Sequence, residues 1–307
     1  MNLFKTKKQE RGFREFLYVL PFVILTLIFC YAPLFGWSYA FFDYRPPFQP
    51  TKEDFVGLKW FKSMFATESM RKELFRVLRN TFAMSGISLL FSWFPMIFAV
   101  FLNEIKCKPF RKFVQTVTTL PNFISWVLVY AVAFCVFSST GPINSIGMSK
   151  GWWDTQKLFL QDDSHLWFKM WLWLTWKNAG WASIMYLAAI SGIDAELIEA
   201  ARVDGANRLK VIRHITIPCL LPTYFVLVMM NVASFLSNGM EQYLVFQNSW
   251  TKNAIEVLDL YVYNQSLGGG GSYPFATAVS IFKTVFSMIL LILVNKFSKK
   301  VRGESLI

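Results

Sequence analysis

The chain has 307 residues, of which 54% are hydrophobic, 18% are aromatic and only 16% are charged, and its mean hydropathy is +0.39. Soluble proteins carry about a quarter charged residues, so this composition argues against an ordinary soluble enzyme. Lys and Arg exceed Asp and Glu by 31 to 19, which gives a net charge of +12. Such a charge suits two kinds of partner, nucleic acid and an anionic membrane surface.

The apolar residues lie in six long blocks, each about as long as a bilayer-crossing helix, which needs roughly 20 apolar residues. A soluble fold could not offer enough partner surface to bury six such helices. We therefore predict an all-α, polytopic membrane protein with six transmembrane helices in a domain covering 16–298. The predicted spans are 16–40, 77–101, 113–137, 167–190, 222–246 and 274–297.

Clusters of Lys and Arg set the predicted orientation, because basic residues concentrate in cytoplasmic loops. If the N-terminus lies inside, the cytoplasmic clusters are those at 5–14, 103–112, 191–221 and 296–302. The N-terminal segment 1–15 and the C-terminal tail 299–307 are then both cytoplasmic.

The segment 193–222, between the fourth and fifth spans, predicts a helix-turn-helix elbow at the cytoplasmic surface. Asp194 is a good N-cap for a short first helix, and Gly205 is typical of a helix end in the left-handed conformation. Asn207 can cap a second helix, which two later prolines would stop. These prolines are Pro218 and Pro222.

The elbow resembles the EAA loop of binding-protein-dependent ABC import permeases, in which EAA is followed after three residues by Gly and after nine more by I-x-[LI]-P. The residues that fill this pattern are Glu199, Ala200, Ala201, Gly205, Ile215, Ile217 and Pro218. The DGA sequence at 204–206 is that of carbohydrate-type permeases. In this family the EAA helix sits in a cleft of a cytosolic ATPase dimer. The resemblance therefore implies an ATPase-coupling role for Glu199, Ala200, Ala201, Asp204 and Gly205.

Runs along almost the whole chain resemble the LplB-type branch of these permeases. They are FVGLKWF, NEIKCKPFRKFVQTVTTLPNFISW, WKNAGWASIMYLAAISGIDAELIEAA, YVYNQS and VNKFSKKVRGESLI. This resemblance implies the MalF/MetI-like fold of type I importers in a bacterial inner membrane. The implied substrates are oligosaccharides or polysaccharide fragments, acidic glycans among them.

The resemblance also implies an assembly. Its other members are a second, MalG-type permease, a cytosolic ATPase dimer and an extracytoplasmic solute-binding protein. ATP and Mg would be bound by the ATPase subunits, and this chain would hold no cofactor. Anionic membrane lipid is expected to meet the basic clusters.

The fifth predicted span carries polar side chains whose spacing puts most of them on one helical face. They are Asn231, Ser234, Asn238, Glu241 and Gln242. Asn238 and Gln242 are the preferred candidates for substrate contact, ahead of Asn231. Unsatisfied polar groups are costly inside a bilayer, so we expect this face to point inward, toward a sugar path. Hydrogen bonds between helices are the alternative explanation.

Three further side chains complete the predicted substrate path. Trp176 and Trp181 of the fourth span offer aromatic faces for stacking on sugar, although packing is the more common role of such residues. Lys283 lies near the middle of the sixth span, where a lone ammonium is costly. A salt bridge with Glu241 is the favoured prediction, and a counter-charge for an acidic glycan is the alternative.

Other functions fit the sequence less well. A permease for another solute, such as glycerol phosphate, stays open, whereas an ATP-independent secondary transporter would have no need of an EAA elbow. The sequence has no Walker A pattern, no HExxH context for a metal and no convincing Ser/His/Asp set, so we predict that the chain is not an enzyme by itself. Nucleic acid is excluded as a partner, because both flanks of the elbow are membrane spans.

Overall fold

The computed structural model describes residues 7–268 and 271–302. About 75% of the chain is helical, and no β-strand occurs within these described ranges, which confirms the all-α class. Residues 1–6 and 303–307, at the two predicted cytoplasmic ends, lie outside the described residues. The α-helices are α1 Lys7–Thr26, α2 Lys59–Ser63, α3 Glu68–Leu90, α4 Phe94–Glu104, α5 Lys108–Thr119, α6 Trp126–Phe137, α7 Pro142–Ser149, α8 Leu166–Ser191, α9 Ala195–Val203, α10 Arg208–Val211, α11 Ile217–Ala233, α12 Glu241–Phe246, α13 Lys252–Ile255, α14 Leu258–Ser266 and α15 Tyr273–Arg302.

The chain divides into two compact units. The first consists of Met1–Arg71 with Val262–Phe282, and the second of Lys72–Tyr261 with Lys283–Ile307. Within the first unit, Tyr39 stacks on Tyr44 with ring centroids 4.3 Å apart, and Tyr273 meets both rings edge-on. All the candidate site residues belong to the second unit.

Five helical segments in the described part of the chain are long and apolar enough to cross a membrane. A sixth is added if the bent pair formed by α8 and α9 counts as one span, with a bend of 71° between its two parts. The five segments are Arg11–Phe41, Glu68–Glu104, Trp126–Ser149, Arg208–Ala233 and Tyr273–Lys296. Five to six candidate spans agree with a polytopic membrane protein.

The predicted third span, 113–137, is divided into two helices. A short 3-10 turn, Leu120–Phe123, separates α5 from α6. Lys177 of α8 is buried and donates hydrogen bonds to the carbonyls of Pro121, at 3.3 Å, and Asn122, at 2.7 Å. Its ammonium thus bonds to two backbone carbonyls at the break, and that of Pro121 also accepts the N–H of Ile124 at 3.2 Å. Such bonds satisfy backbone polar groups in an apolar environment.

The helical segment that corresponds to the predicted fifth span, 222–246, is Arg208–Ala233, so it begins and ends earlier in the chain than predicted. A π-helical turn, Ile212–Thr216, joins α10 to α11, and this helix ends at Ala233. The prediction that Pro218 and Pro222 stop the elbow's second helix was wrong. Pro218 occupies the first turn of α11, where a missing N–H is tolerated, and the wider π-helical turn precedes it.

A buried core holds together the helices on both sides of the elbow. Side chains of α4 pack against the C-terminal half of α8 and against Leu220 of α11. The fully buried members of the cluster include Ala99, Leu102 and Leu220. Because α8 leads into the elbow and α11 leads out of it, this core fixes both of its attachment points.

Candidate functional site

The predicted elbow is present, and its two helix starts are capped as expected. The Asp194 carboxylate accepts a hydrogen bond from the backbone N–H of Glu196, at 3.0 Å. The Asn207 side chain accepts one from the N–H of Lys210, at 2.9 Å. Each cap satisfies one N–H that would otherwise lack a helical partner.

The turn between the two elbow helices is a Schellman motif. Gly205 has a φ of +80°, in the left-handed region that favours glycine. Its N–H donates to the carbonyl of Arg202 at 3.0 Å, and the N–H of Ala206 donates to the carbonyl of Ala201 at 2.9 Å. These two bonds are the pair that defines the motif, so α9 ends in a fixed direction.

The surface of the elbow is open. Glu199, Ala200, Asp204 and Gly205 are exposed, and Ala201 is half-buried. Apolar side chains are exposed beside them, with Val203 at 87% and Leu209 at 74% of their full accessible area. The loop therefore presents small, acidic and apolar groups together on a rigid backbone.

A cavity of about 400 Å³ lies among α3, α4, α8 and α11. Trp181 is one of its walls, together with other aromatic rings and a set of hydroxyl and amide groups. The remaining aromatic and polar lining residues are Phe91, Phe94, Trp171, Tyr186, Ser88, Ser92, Thr175, Asn178 and Asn231. Aromatic faces combined with hydrogen-bonding groups can bind a sugar ring by stacking and by hydrogen bonds to its hydroxyls.

Trp176 is not among the residues that line this cavity. It lines a second, mostly apolar cavity of about 590 Å³ with Trp173 and Phe246. Trp173 and Trp176 meet edge-on with ring centroids 5.9 Å apart. The structure therefore does not place the two predicted stacking residues, Trp176 and Trp181, in one cavity.

The polar face predicted on the fifth span is not formed, because α11 ends at Ala233. Ser234 hydrogen-bonds back to the carbonyl of Met230 at 3.0 Å. Gln242 is buried in α12 and donates to the carbonyl of Met170 at 2.8 Å, while Glu241 is exposed at the start of that helix. Of the predicted face, Asn231 is the member that lines the 400 Å³ cavity.

Residues 234–240, which we name the polar break, separate α11 from α12. Asn238 donates to the hydroxyl of Ser85 at 2.8 Å, and Ser85 donates to the carbonyl of Phe235 at 2.5 Å. Gly239 has a φ of +75°, and its N–H donates to the carboxylate of Asp259 at 2.9 Å. Side chains from α3 and α14 thus hold a segment in which the chain leaves the regular helix and makes turns, such as that closed by the bond from the N–H of Ser237 to the carbonyl of Ser234 at 2.8 Å.

The predicted salt bridge between Lys283 and Glu241 was wrong. The ammonium of Lys283 binds the carboxylate of Asp259 instead. The side chains of Lys283 and Asp259 are 19% and 17% exposed, whereas Glu241 is an exposed residue. An ammonium in an apolar helix is costly unless it is paired, and Lys283 pairs with the enclosed carboxylate of Asp259 rather than with the exposed one of Glu241.

In the described part of the chain, no group of three or more His, Cys, Asp or Glu side chains is placed to hold a metal ion.

Residues 92–303 match the family of binding-protein-dependent transport system inner membrane components. This match covers more than half of the chain and includes the whole elbow. The chain belongs to this family. It is therefore a membrane-embedded permease component, and the sequence pattern of its elbow is that of the EAA loop.

Curated relatives of this permease component match it along nearly their whole length. Protein LplB of Bacillus subtilis (strain 168) is 36% identical over 295 residues, which are 95% of this chain and 90% of that protein. The polygalacturonan/rhamnogalacturonan transport system permease protein YteP of the same organism is 34% identical, over 99% of this chain and 95% of that protein. The resemblance to LplB-type permeases is confirmed.

Solved structures give the same result for the fold. A chain of a bacterial ABC transporter involved in the import of the acidic polysaccharide alginate is 33% identical, with a TM-score of 0.83 over 96% of this chain and 98% of that chain. A second structure, of a bacterial alginate ABC transporter in complex with an alginate pentasaccharide-bound periplasmic protein, contains a chain with a TM-score of 0.84 at 32% identity. The ABC importer permease fold is thereby confirmed.

Sequence reasoning missed two residues that this permease component uses in its interior. Lys177 was visible as a charge within an apolar block, which is itself a signal of a special role. Asp259 gave no such signal, because it appeared to lie in a loop between the fifth and sixth spans.

Proposed function

We propose that the chain is the LplB-type permease subunit of an ABC importer for oligosaccharides or polysaccharide fragments, acidic glycans among them. The observation that carries this proposal is the full-length similarity to a permease chain of an importer of the acidic polysaccharide alginate. The similarity to YteP, whose name refers to pectic polysaccharides, points to the same class of substrate. The substrate would cross the inner membrane of a bacterium.

The proposed assembly has the composition that the EAA loop implies. An extracytoplasmic binding protein delivers the sugar, a second, MalG-type permease completes the path, and two cytosolic ATPase subunits bind ATP and Mg. The chain itself then holds no nucleotide and catalyses no reaction. Both termini lie in the cytoplasm, on the side of the basic clusters.

The coupling contact in this proposal is the exposed surface of α9. Glu199, Asp204 and the small residues Ala200 and Ala201 would enter a cleft of the ATPase dimer. The capped ends and the bend of 71° between α8 and α9 support this role, because a rigid element can transmit a movement without absorbing it. Closure and opening of the ATPases would then drive alternating access.

The sugar path in this proposal passes the 400 Å³ cavity. Trp181 would stack on a sugar ring, and the amides of Asn178 and Asn231 would bind its hydroxyls. Ser234, Asn238 and Glu241 follow directly along the chain and would border the path. Trp176, Gln242 and Lys283 are assigned to packing and internal bonds, because of the contacts they make within the protein.

The test uses the full importer, with its own binding protein and ATPases, in proteoliposomes. Uptake of alginate oligosaccharides, polygalacturonate fragments, neutral arabino-oligosaccharides and glycerol phosphate is compared with and without ATP. We expect ATP-dependent uptake of at least one oligosaccharide and none of glycerol phosphate. Uptake of glycerol phosphate alone, or uptake that needs no ATP, would overturn the proposal.

A further inference from the structure

The polar break adjoins the proposed sugar path on two sides. Met230 and Asn231, in the last turn of α11, line the 400 Å³ cavity, and the break begins three residues later. On α3, Ser85 holds the break, and Ser88, one helical turn further on, lines the same cavity. The break is therefore joined directly to two elements of the cavity wall, α11 through the chain and α3 through Ser85.

Asp259 contacts the break and the neighbouring helix α15 with different carboxylate oxygens. One oxygen accepts the N–H of Gly239 at 2.9 Å, and the other binds the ammonium of Lys283. The N–H of Gly239 points to the carboxylate because the backbone there has a φ of +75°. A carboxylate in this enclosed place needs a counter-charge, and Lys283 supplies it.

We propose that Asp259 is a positioning residue for transport, which fixes the polar break through its hydrogen bond to Gly239, while Lys283 serves to neutralise Asp259. This inference rests on the proposed function, because it assigns the break to the wall of the sugar path. It differs from an ordinary stabilising ion pair in one respect. The essential interaction is the bond to the backbone, and the charge pair is replaceable.

Two double variants separate these roles. Asp259→Asn with Lys283→Met removes both charges, but the amide oxygen of Asn can still accept the N–H of Gly239. Asp259→Lys with Lys283→Asp restores an ion pair of opposite direction, but an ammonium at position 259 has no acceptor for Gly239. A purely structural ion pair predicts that the second variant works better than the first.

Both variants are measured in the complete importer by two readouts. The first is ATP-dependent uptake of the oligosaccharide that the native importer transports best. The second is the rate at which a charged methanethiosulfonate reagent labels Ser237→Cys, an exposed position within the break, after the four native cysteines are replaced by serine. The native chain with the same background and probe is the control.

We expect the neutral pair to keep at least half of the native uptake and the native labelling rate. The swapped pair should lose about tenfold in uptake, which corresponds to one hydrogen bond to a charged group, and should change the labelling rate about threefold or more. The proposal is overturned if the swapped pair matches the native chain in both readouts, or if the neutral pair alters the labelling rate threefold. If the swapped pair does not reach the membrane, the labelling rate of the neutral pair decides alone.

Failure of the proposed function would look different. If the native importer takes up no oligosaccharide, the substrate assignment fails, whereas the labelling comparison still reports on Asp259 and the break.

Discussion

The elbow and the polar break are both departures from straight helix, yet they are held in different ways. In the elbow, Asp194, Asn207 and Gly205 bond to backbone groups within five residues along the chain. In the break, Ser85 donates to the carbonyl of Phe235, which lies 150 residues further along the chain. Asp259 accepts the N–H of Gly239, which lies 20 residues before it. A locally held element can move as one body, whereas a remotely held element changes whenever its neighbours move.

This difference matches the two proposed roles. An element that passes force from an ATPase should keep its shape, and the elbow does so with its own caps. An element that borders a path with alternating access should respond to the helices around it.

The largest effect is expected where the local caps of the elbow are broken. Gly205→Pro demands a φ near about −65° at a residue whose φ is +80°, and it removes the N–H that donates to Arg202. We expect ATP-driven uptake to fall about a hundredfold, for a deformation of about 3 kcal/mol. Uptake in proteoliposomes and the amount of protein in the membrane are measured together.

Gly205→Asn is the matched control, because Asn tolerates the left-handed conformation better than other side chains. It should keep most of the native uptake. Native uptake by the proline variant would mean that the elbow does not need its rigid end.

A smaller effect is expected when the elbow keeps its shape and its charge is reversed. Glu199→Lys retains a good helix former on an exposed face of α9. We expect about a tenfold loss of uptake, because a charge of the wrong sign at a protein interface costs more than about 1.4 kcal/mol. The ratio of ATP hydrolysed to sugar transported should rise.

Glu196→Lys makes the same change of charge, also at an exposed position of α9 but outside the EAA triplet. It should have little effect on uptake. Equal losses in the two variants would show that net charge, and not the position of Glu199, governs coupling.

Gly180 of α8 tests packing between helices that are distant in sequence. A β-carbon there would overlap the carbonyl group of Thr118 on α5, which is backbone and cannot turn aside. We expect Gly180→Ala to lower the free energy of unfolding by about 1–3 kcal/mol. The midpoint of thermal unfolding in detergent reports the change.

Gly86→Ala in α3 is the comparison variant, because its β-carbon would meet no atom within 4 Å. Ala is favoured over Gly in a helix interior by about 0.5–1 kcal/mol. This variant should therefore be neutral or slightly more stable, and a loss as large as that of Gly180→Ala would refute the packing argument.

The smallest effect concerns an exposed ion pair, which contrasts with the enclosed pair of Asp259 and Lys283. The pKa of Asp162 lies well below its ordinary value, first because Lys169 donates a hydrogen bond to it and then because Ser164 does. The stabilisation is therefore present above the ordinary pKa of 3.8 and is lost as the pH falls through the folded value. Because the side chain of Asp162 is 46% exposed, screening by solvent limits the stabilisation from this ion pair to about 1 kcal/mol or less.

Lys169→Met tests the direction in which this stabilisation changes with pH. The midpoint of thermal unfolding should fall slightly at pH 7, and the difference from the native chain should narrow as the pH is lowered toward 3. Lys252→Met, at another exposed lysine, should show no such narrowing. A difference that is independent of pH would contradict the assigned cause.

The sequence allowed the elbow to be predicted in detail, because each of its signals acts on its near neighbours. Asp194, Gly205 and Asn207 all have the predicted roles. The end of α11, the helix of the predicted fifth span, could not be predicted in the same way. The polar residues after Ala233 are spaced as they would be on one face of a longer helix, whereas the structure holds this segment by bonds to Ser85 and to the distant Asp259. Hydropathy contains no information about such a distant acceptor, and for the same reason Lys283 was assigned to the wrong carboxylate.

The buried Lys177 has a consequence for the order in which the protein is made. Its two acceptors, the carbonyls of Pro121 and Asn122, precede it in the chain by 56 and 55 residues. They emerge from the ribosome first, so the ammonium enters the apolar phase when its partners are already present. A circular permutation that opens the chain between α6 and α8 would reverse that order. The ammonium of Lys177 would then enter the bilayer before its partners are synthesised, which is costly. The position of one lysine thus ties the finished packing to the direction of translation.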